Sequence, residues 1–264
     1  FSIEKPYNFG VTMKILVACE YSGIVRDAFI KRGHDAWSCD ILPSEGDPKN
    51  NHKHLQYDVN YALDLHDDWD MIIAFPPCTF LCSSGQRWMN DPRYPNRHED
   101  QRHALEFVQR IWAYDCKYIC IENPIGVLST KFMKPSQYIQ PYQFGHDACK
   151  KTCLWLKGLP NLVPTSNMTK EDVTYVTLSN GRRFSKWDYD CSKLPHSQRG
   201  KARSKFWEGV ADAMAYQWNM ISPKRLITLD ISSVCTNDYA LQGSYKKISL
   251  QDLCKQMGIS HTRM

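Results

Sequence analysis

Two rhythms of apolar and polar positions alternate along the first half of the chain. Ile15-Leu16-Val17-Ala18-Cys19 is an unbroken apolar run, which predicts a strand covered on both faces. Ile24 to Arg32 predicts a helix with Ile24, Val25, Ala28 and Phe29 on one side and Gly33 as its stop. Ala36 to Cys39 predicts a second strand ending at Asp40, followed by a polar loop from Pro43 to His54, with Asp58 in the next loop or strand end. Asp70 to Phe75 is a further buried strand, ending at Pro76-Pro77-Cys78. Residues 99–114 read as a helix with Leu105, Val108, Ile111 and Trp112 on one face. Tyr118 to Ile121 is another strand, ending at Glu122-Asn123-Pro124. Strands alternating with helices predict an α/β fold with a mostly parallel sheet. Ligands of such sheets bind outside the carboxyl ends of the strands. Tyr21 to Gly23, Asp40, Asp58, Pro76 to Cys78 and Glu122 to Pro124 are therefore expected to converge on one cleft.

After residue 130 the rhythm changes, and Pro, Lys and aromatic residues dominate to about residue 200. Asn180-Gly181 is a hairpin turn signal. Residues 203–219 predict a helix packing back on the sheet. In the tail, residues 248–260 resemble the first half of a helix-turn-helix; no second helix follows, and a capping helix is expected. The chain opens on Phe1, and Met13-Lys14 looks like a start, so residues 1–12 read as an extension. The expected organisation is an extension (1–12), a core (13–150), a small basic insertion (151–202), a closing helix (203–221) and a tail (222–264).

Composition narrows the class. Of 264 residues, 42% are hydrophobic and 23% charged, enough for a sizeable core, which excludes disordered, collagenous and coiled-coil chains. No apolar run of about 18 residues and no signal sequence are found, so a cytoplasmic protein, away from membranes and monomeric, is expected. The 11 cysteines form no CxxC and no zinc-finger spacing; reduced thiols and no metal are expected. Residues 131–207 hold 14 Lys and Arg against 5 Asp and Glu, although the whole chain is only +5. Such a block suits an anionic partner, nucleic acid first, or is a solvated basic face. Its basic residues are interleaved with Tyr175, Phe184, Trp187 and Tyr189, which suits phosphate contact with base stacking.

Singly, Cys78 reads as a structural thiol and Glu122 as a loop carboxylate. Together, Pro76-Pro77-Cys78 after one buried strand and Glu122-Asn123-Pro124 after the next resemble the C5-cytosine DNA methyltransferases, over Met13 to about Asn219. The chain looks still more like small phage and prophage members, whose Phe-Gly…Lys-Lys-Thr-Cys-Leu-Trp segment matches Phe144 to Trp155. The resemblance implies a Rossmann-like methyltransferase sheet that binds S-adenosyl-methionine and acts on a flipped cytosine of DNA. It implies catalytic roles for Cys78, Glu122 and Asn123, with the Cys78 thiolate adding to cytosine C6 and Glu122 stabilising N3. Cofactor contacts fall on Tyr21, Ser22, Gly23, Asp40, Ile41, Asp58 and Pro76; DNA contacts fall on Lys150, Lys151, Arg182, Arg183 and Arg203. The chain departs from the family pattern in several places. Ile24-Val25-Arg26 replace further glycines, Phe75 precedes the prolines, Pro124 stands for Val, and Gly209-Val210 for a Gly-Asn pair. An amino-methyltransferase would need a polar residue before, and an aromatic after, the two prolines. The remaining alternative is a phage protein of this type that binds DNA or a partner without chemistry.

Overall fold

A computed structural model describes residues 12–66 and 68–219. Its elements are β1 (Lys14–Ala18), α1 (Ile24–Lys31), β2 (Asp35–Cys39), β3 (His54–Leu55), α2 (Val59–Leu65), β4 (Met71–Ala74), α3 (Arg97–Ala113) and β5 (Tyr118–Pro124). There follow α4 (Leu128–Lys131), β6 (Gln137–Ile139), β7 (Thr152–Lys157), β8 (Tyr175–Thr177), β9 (Arg183–Ser185), α5 (Lys186–Lys193), α6 (His196–Ser204) and α7 (Glu208–Asn219).

Seven strands form the central sheet in the order β3-β2-β1-β4-β5-β7-β6. β1 to β5 run parallel, and β7 runs antiparallel to β5 and β6. The apolar strands are explained by a core on each face. Ile15, Val17, Met71 and Ile73 join Phe29, Met214 and Trp218 on one side. Leu16, Ala18, Ile72 and Ala74 join Val108, Ile111 and Trp155 on the other. Successive side chains of a strand point to opposite faces, so a doubly covered strand has no polar alternation. The result is an α/β sheet compatible with a Rossmann-like fold. Its strand order reverses between β1 and β4, and that switch point is where such sheets bind ligands.

Three expectations need correction. β5 does not stop at Ile121: it runs through Glu122 and Asn123 because β7 pairs alongside, with Glu122 opposite Leu154 and Pro124 opposite Thr152. For the same reason Thr152–Lys157 belongs to the main sheet and not to the basic insertion. The helix expected over 203–219 is two helices, α6 and α7, separated at Lys205–Trp207. There Phe206 packs against Phe75 with ring centres 4.6 Å apart, and Trp207 lies 5.0 Å from Trp187 and 5.1 Å from His146. Gly209 lets α7 approach closely: a Cβ there would stand 2.1 Å from the Phe144 carbonyl oxygen.

The hairpin expected at Asn180-Gly181 forms between β8 and β9, with Gly181 at φ 79° and the Arg182 amide donating to Asn180 Oδ1 at 3.1 Å. Residues 1–11 and the segment 248–260 lie outside the described residues. Among the described residues no helix is long and apolar enough to cross a membrane.

Candidate active site

The carboxyl ends of β4 and β5 bring Cys78, Glu122 and Asn123 together. Phe75 N–H donates to Ala18 O at 2.9 Å, continuing the β1–β4 pairing one residue beyond the strand. Pro76 and Pro77, with fixed φ and no N–H, then turn the chain out of the sheet. Asn123, 1% exposed, donates through Nδ2 to Pro76 O at 2.8 Å. One buried bond thus ties the Pro-Pro-Cys turn to the end of β5. The turn is strapped again further on, where Ser83 N–H donates to Ile125 O at 3.0 Å and Val127 N–H to Leu81 O at 2.8 Å. Gly126 makes this approach possible, since a Cβ there would lie 1.9 Å from Leu81 O.

Glu122 is buried, and burial pushes its carboxyl above the ordinary range; the nearby Lys150 charge and a hydrogen bond with Thr152 oppose this. Cys78 is exposed at the crevice edge. Its thiol is pushed up, first because it is hydrogen-bonded to Cys82, then by partial burial of the sulfur and the Glu122 carboxylate, against Lys150. Cys82 is pulled down to about 5 by the Cys78 thiol, the Ser84 hydroxyl 3.2 Å from its sulfur and the Gly85 amide, against burial. The neighbouring Cys82, burial and Glu122 thus all act against the thiolate that the resemblance implies on Cys78.

The ends of β1 and β2 form the neighbouring half of the crevice. Cys19 leaves β1 at φ 59°, a left-handed conformation that costs a non-glycine residue energy and recurs at functional sites. Asp40 accepts from Leu42 N–H at 2.9 Å, and Asp58 caps α2 by accepting from Asn60 N–H at 2.7 Å. Both carboxylates raise the Cys19 and Cys39 thiols, after burial, so both face that one spot. Ile41 is 70% exposed beside them. Ribose hydroxyls and an adenine amino group, all donors, fit such a rim of acceptors with an apolar side chain next to it.

The glycine loop departs from expectation. Gly23 has φ 69°, and a Cβ there would meet Arg26 Nη2 and Gly46 Cα at 2.7 Å. Gly23 thus serves a close approach of the chain to itself, with Glu45 N–H donating to Tyr21 O at 2.7 Å. The amides of Val25 and Arg26 donate to buried Glu20, at 2.7 and 3.2 Å, and burial pushes that carboxyl up to about 7. Ser22 Oγ accepts from Ile24 N–H at 3.4 Å. Arg26 fills the space that further glycines would leave, fully buried and bonded to Asp27, Ser38 and Ser44. The first turn of α1 therefore has its donors satisfied from within the chain. The cleft of about 420 Å³ between α1, residues 45–47 and α7 lies outside this turn, and of the predicted site residues only Ser22 lines it. Among the described residues no three His, Cys, Asp or Glu cluster to hold a metal ion.

The chain matches no family model and no curated protein. The functional reading therefore rests on the residues and their arrangement.

The basic insertion reaches over this crevice through α6. Tyr21 Oη lies 3.1 Å from Ser204 Oγ, and Lys201 forms an ion pair with Glu45. Lys150, expected to reach for DNA phosphate, turns inward: its Nζ donates to Arg203 O at 2.8 Å, and its charge bears on Glu122 and Cys78. The other expected DNA residues face solvent. Lys151 lies over the Tyr138 ring at 4.4 Å, Arg183 over Tyr175 at 4.4 Å and Arg182 over Phe184 at 5.1 Å, while Arg203 is paired with Asp188. Sequence reasoning missed a second basic and aromatic surface next to the nucleophile turn. Arg87 lies 4.6 Å from the Trp88 ring, and Arg93 lies 5.3 Å from Trp88 and 5.8 Å from Tyr94. Its signal was present in Arg87-Trp88 and Arg93-Tyr94, shortly after Cys78.

If the hairpin meets phosphates, replacing both Arg182 and Arg183 by Ala lowers affinity for all DNA sequences alike. Each lost phosphate contact flattens the plot of log K against log salt by about 0.9, so the pair flattens it by about 1.8 on duplex DNA. Anisotropy titrations of a labelled oligonucleotide at several salt concentrations read this directly. An unchanged slope makes the hairpin a solvated face.

Proposed function

We propose that this protein transfers a methyl group from S-adenosyl-methionine to C5 of cytosine in DNA through a covalent adduct with Cys78. The observation that carries the reading is buried Glu122 at the end of β5, its carboxyl raised by burial, near exposed Cys78 at the end of β4, with Asn123 tying the two strand ends together. A buried carboxyl that keeps its proton can donate to a ring nitrogen as charge develops there. The Cys78 sulfur adds to C6 as the C5–C6 π pair moves toward C5 and N3, and the Glu122 proton meets N3. Asn123 holds Pro76, so the sulfur and the carboxyl keep their separation during attack. S-adenosyl-methionine, when bound, supplies the electrophilic methyl group; Asp40, Ile41 and Asp58 would hold its adenosine. Loss of the C5 proton then allows Cys78 to leave as the ring double bond reforms. The target carbon is unreachable inside a duplex, so the base must be flipped out or already single-stranded. The exposed basic and aromatic side chains on both sides of the crevice suit such a strand.

One feature favours a non-catalytic DNA-binding protein as the second reading: Gly46 and Arg26 occupy the space over Gly23, and the α1 amides are satisfied. Incubation with S-adenosyl-methionine and an oligonucleotide carrying 5-fluorocytosine separates the two. Fluorine cannot leave C5 as a proton does, so a methyltransferase of this mechanism stays attached to the DNA. The expected result is a denaturant-resistant protein–DNA species. Salt-sensitive DNA binding with neither adduct nor 5-methylcytosine would establish the second reading.

A further inference from the structure

The turn that carries Cys78 runs on into a second surface with a fixed mount. After Cys82 comes a 3₁₀ helix, Ser83–Trp88, and then two tight turns lead to α3. In them Asp91 N–H donates to Trp88 O at 3.2 Å, Tyr94 N–H to Asp91 O at 2.9 Å and Arg97 N–H to Tyr94 O at 3.2 Å. These bonds bring half-buried Trp88 and exposed Tyr94 together, ring centres 6.1 Å apart and planes at 69°. Two exposed guanidinium groups flank the indole: Arg87 lies 4.6 Å and Arg93 5.3 Å from its centre. Asp91 orients Arg93, accepting from its Nε at 3.0 Å and its Nη2 at 2.7 Å. Buried side chains tie this surface to the nucleophile turn from beneath. Arg97 donates from Nη2 to Thr79 O and Gly85 O at 3.2 Å each, and its guanidinium lies 5.2 Å from the Phe80 ring and 5.7 Å from Tyr94. Gln101 donates from Nε2 to Phe80 O at 2.8 Å and to Gln86 Oε1 at 3.1 Å.

We infer that Trp88 and Tyr94, flanked by Arg87 and Arg93, are a stacking platform for an unpaired DNA strand beside the base that enters the crevice. That the strand is DNA rests on the function proposed above; the preference for an unpaired strand is carried by the rings. A ring attracts the π face of any base, so such a platform is tolerant of sequence. Inside a duplex both faces of each base are taken by its neighbours, and the rings would have nothing to stack on. Arginine alone would suit duplex and single strand alike, because both offer phosphates. The guanidinium groups fit the same ligand. A base arriving at Trp88 takes the place of one of them on the ring, and the displaced cation is left beside the base's own phosphate. The buried bonds of Arg97 and Gln101 hold the platform in place before the strand arrives, so little ordering remains to oppose binding. Thr79 and Phe80, the residues whose carbonyls they grip, directly follow Cys78, so a strand seated on the rings is led past the nucleophile. The chemistry asks for the same state of the substrate, since C5 is reached only in a base that has left its stack.

The test compares a labelled oligo(dT) with the duplex it forms with oligo(dA), by anisotropy at several salt concentrations and without cofactor. Full-length wild type should bind the single strand more tightly than the duplex. Trp88→Ala and Trp88→Leu, each with its thermal midpoint checked, should weaken single-strand binding by about 5- to 150-fold, the range of one lost base stack. Leucine keeps apolar bulk on the turn and lacks only the π face; Trp88→Phe should restore most of the affinity. The salt slope should stay that of the wild type in all three, because no phosphate contact is removed. Arg87→Ala should instead flatten it by about 0.7 on the single strand. Duplex binding should change little in the Trp88 variants. Equal or tighter wild-type binding to the duplex would overturn the inference. So would unchanged single-strand binding in Trp88→Ala and Trp88→Leu, or an equal loss on both forms of DNA. Trapping on a single-stranded oligonucleotide with 5-fluorocytosine separates this from the reading it rests on. Loss of single-strand affinity in the Trp88 variants with no adduct in the wild type leaves the platform standing and removes the methyl transfer. Wild-type rates of adduct formation in Trp88→Leu at limiting DNA do the reverse.

Discussion

Cys78→Ser should abolish methyl transfer while the protein stays folded. Cys78 is exposed on a turn held by Pro76, Asn123 and the strap to residues 125–127, none of which uses its side chain. Losing it leaves no cavity in either core, so the thermal midpoint should stay close to that of the wild type. The chemistry has no such reserve. A serine hydroxyl stays protonated near neutral pH, and a neutral hydroxyl does not add to a pyrimidine C6. Losing one positioned acid or base typically costs about 10²–10⁴-fold, and loss of the covalent route should cost at least as much. The measurement is incorporation of labelled methyl groups into DNA, with trapping on 5-fluorocytosine run in parallel. The variant should form no adduct yet still bind DNA, because the basic side chains are untouched. Turnover within a few-fold of wild type would show that the thiol is structural and would end the Cys78 mechanism.

Much of this arrangement was legible in the sequence because local pattern carried it. Five apolar residues in a row before Tyr21-Ser22-Gly23, and again before Pro76-Pro77-Cys78, can only be strands with both faces covered. Once the sheet is parallel, topology puts their carboxyl ends on one edge. The missed features depend on contacts distant in sequence. Glu122 continues a strand because residues 152–157 return alongside it. The break before α7 exists because Phe206 and Trp207 find rings at Phe75, His146 and Trp187. Lys150 points inward because Arg203 O receives it, 53 residues on. The close approach of Gly23 to Gly46 could not be foreseen from a motif whose glycines normally face a ligand. Nor could the tight turn from Cys78 to Cys82, where the Cys82 amide donates to Cys78 O at 2.9 Å, since four-residue spacing also occurs at Cys116/Cys120 and Cys149/Cys153. What separates the first pair is that backbone bond, a property of the folded turn.

Glu122→Gln should cost about 10²–10⁴-fold in turnover, and its pH signature separates a proton donor from a structural carboxyl. Glutamine keeps the shape, and its amide can still meet Thr152, but it has no proton to give to N3. In the wild type two titrations frame the activity. It rises as the Cys78 thiol, which its surroundings push up, loses its proton, and falls as Glu122 loses the proton that burial helps it keep. The variant's residual activity should retain the rising limb and lose the falling one. Stability responds to the same group with a definite sign. A carboxyl whose folded pKa is raised binds more protons in the native than in the unfolded state. Stability therefore falls as pH rises from the ordinary carboxylate range to the raised value. Buried Glu20 acts in the same direction as it shifts from 4.5 to about 7, a change worth about 3 kcal/mol across that window. Urea unfolding at pH 5 and pH 8 should show the wild type weaker at the higher pH. Glu122→Gln should narrow that gap without closing it, because Glu20 remains. A variant with near-normal turnover and an intact falling limb would assign the proton to another group. A variant inactive only through a collapse of stability at both pH values would make Glu122 a strut of the β5–β7 ladder.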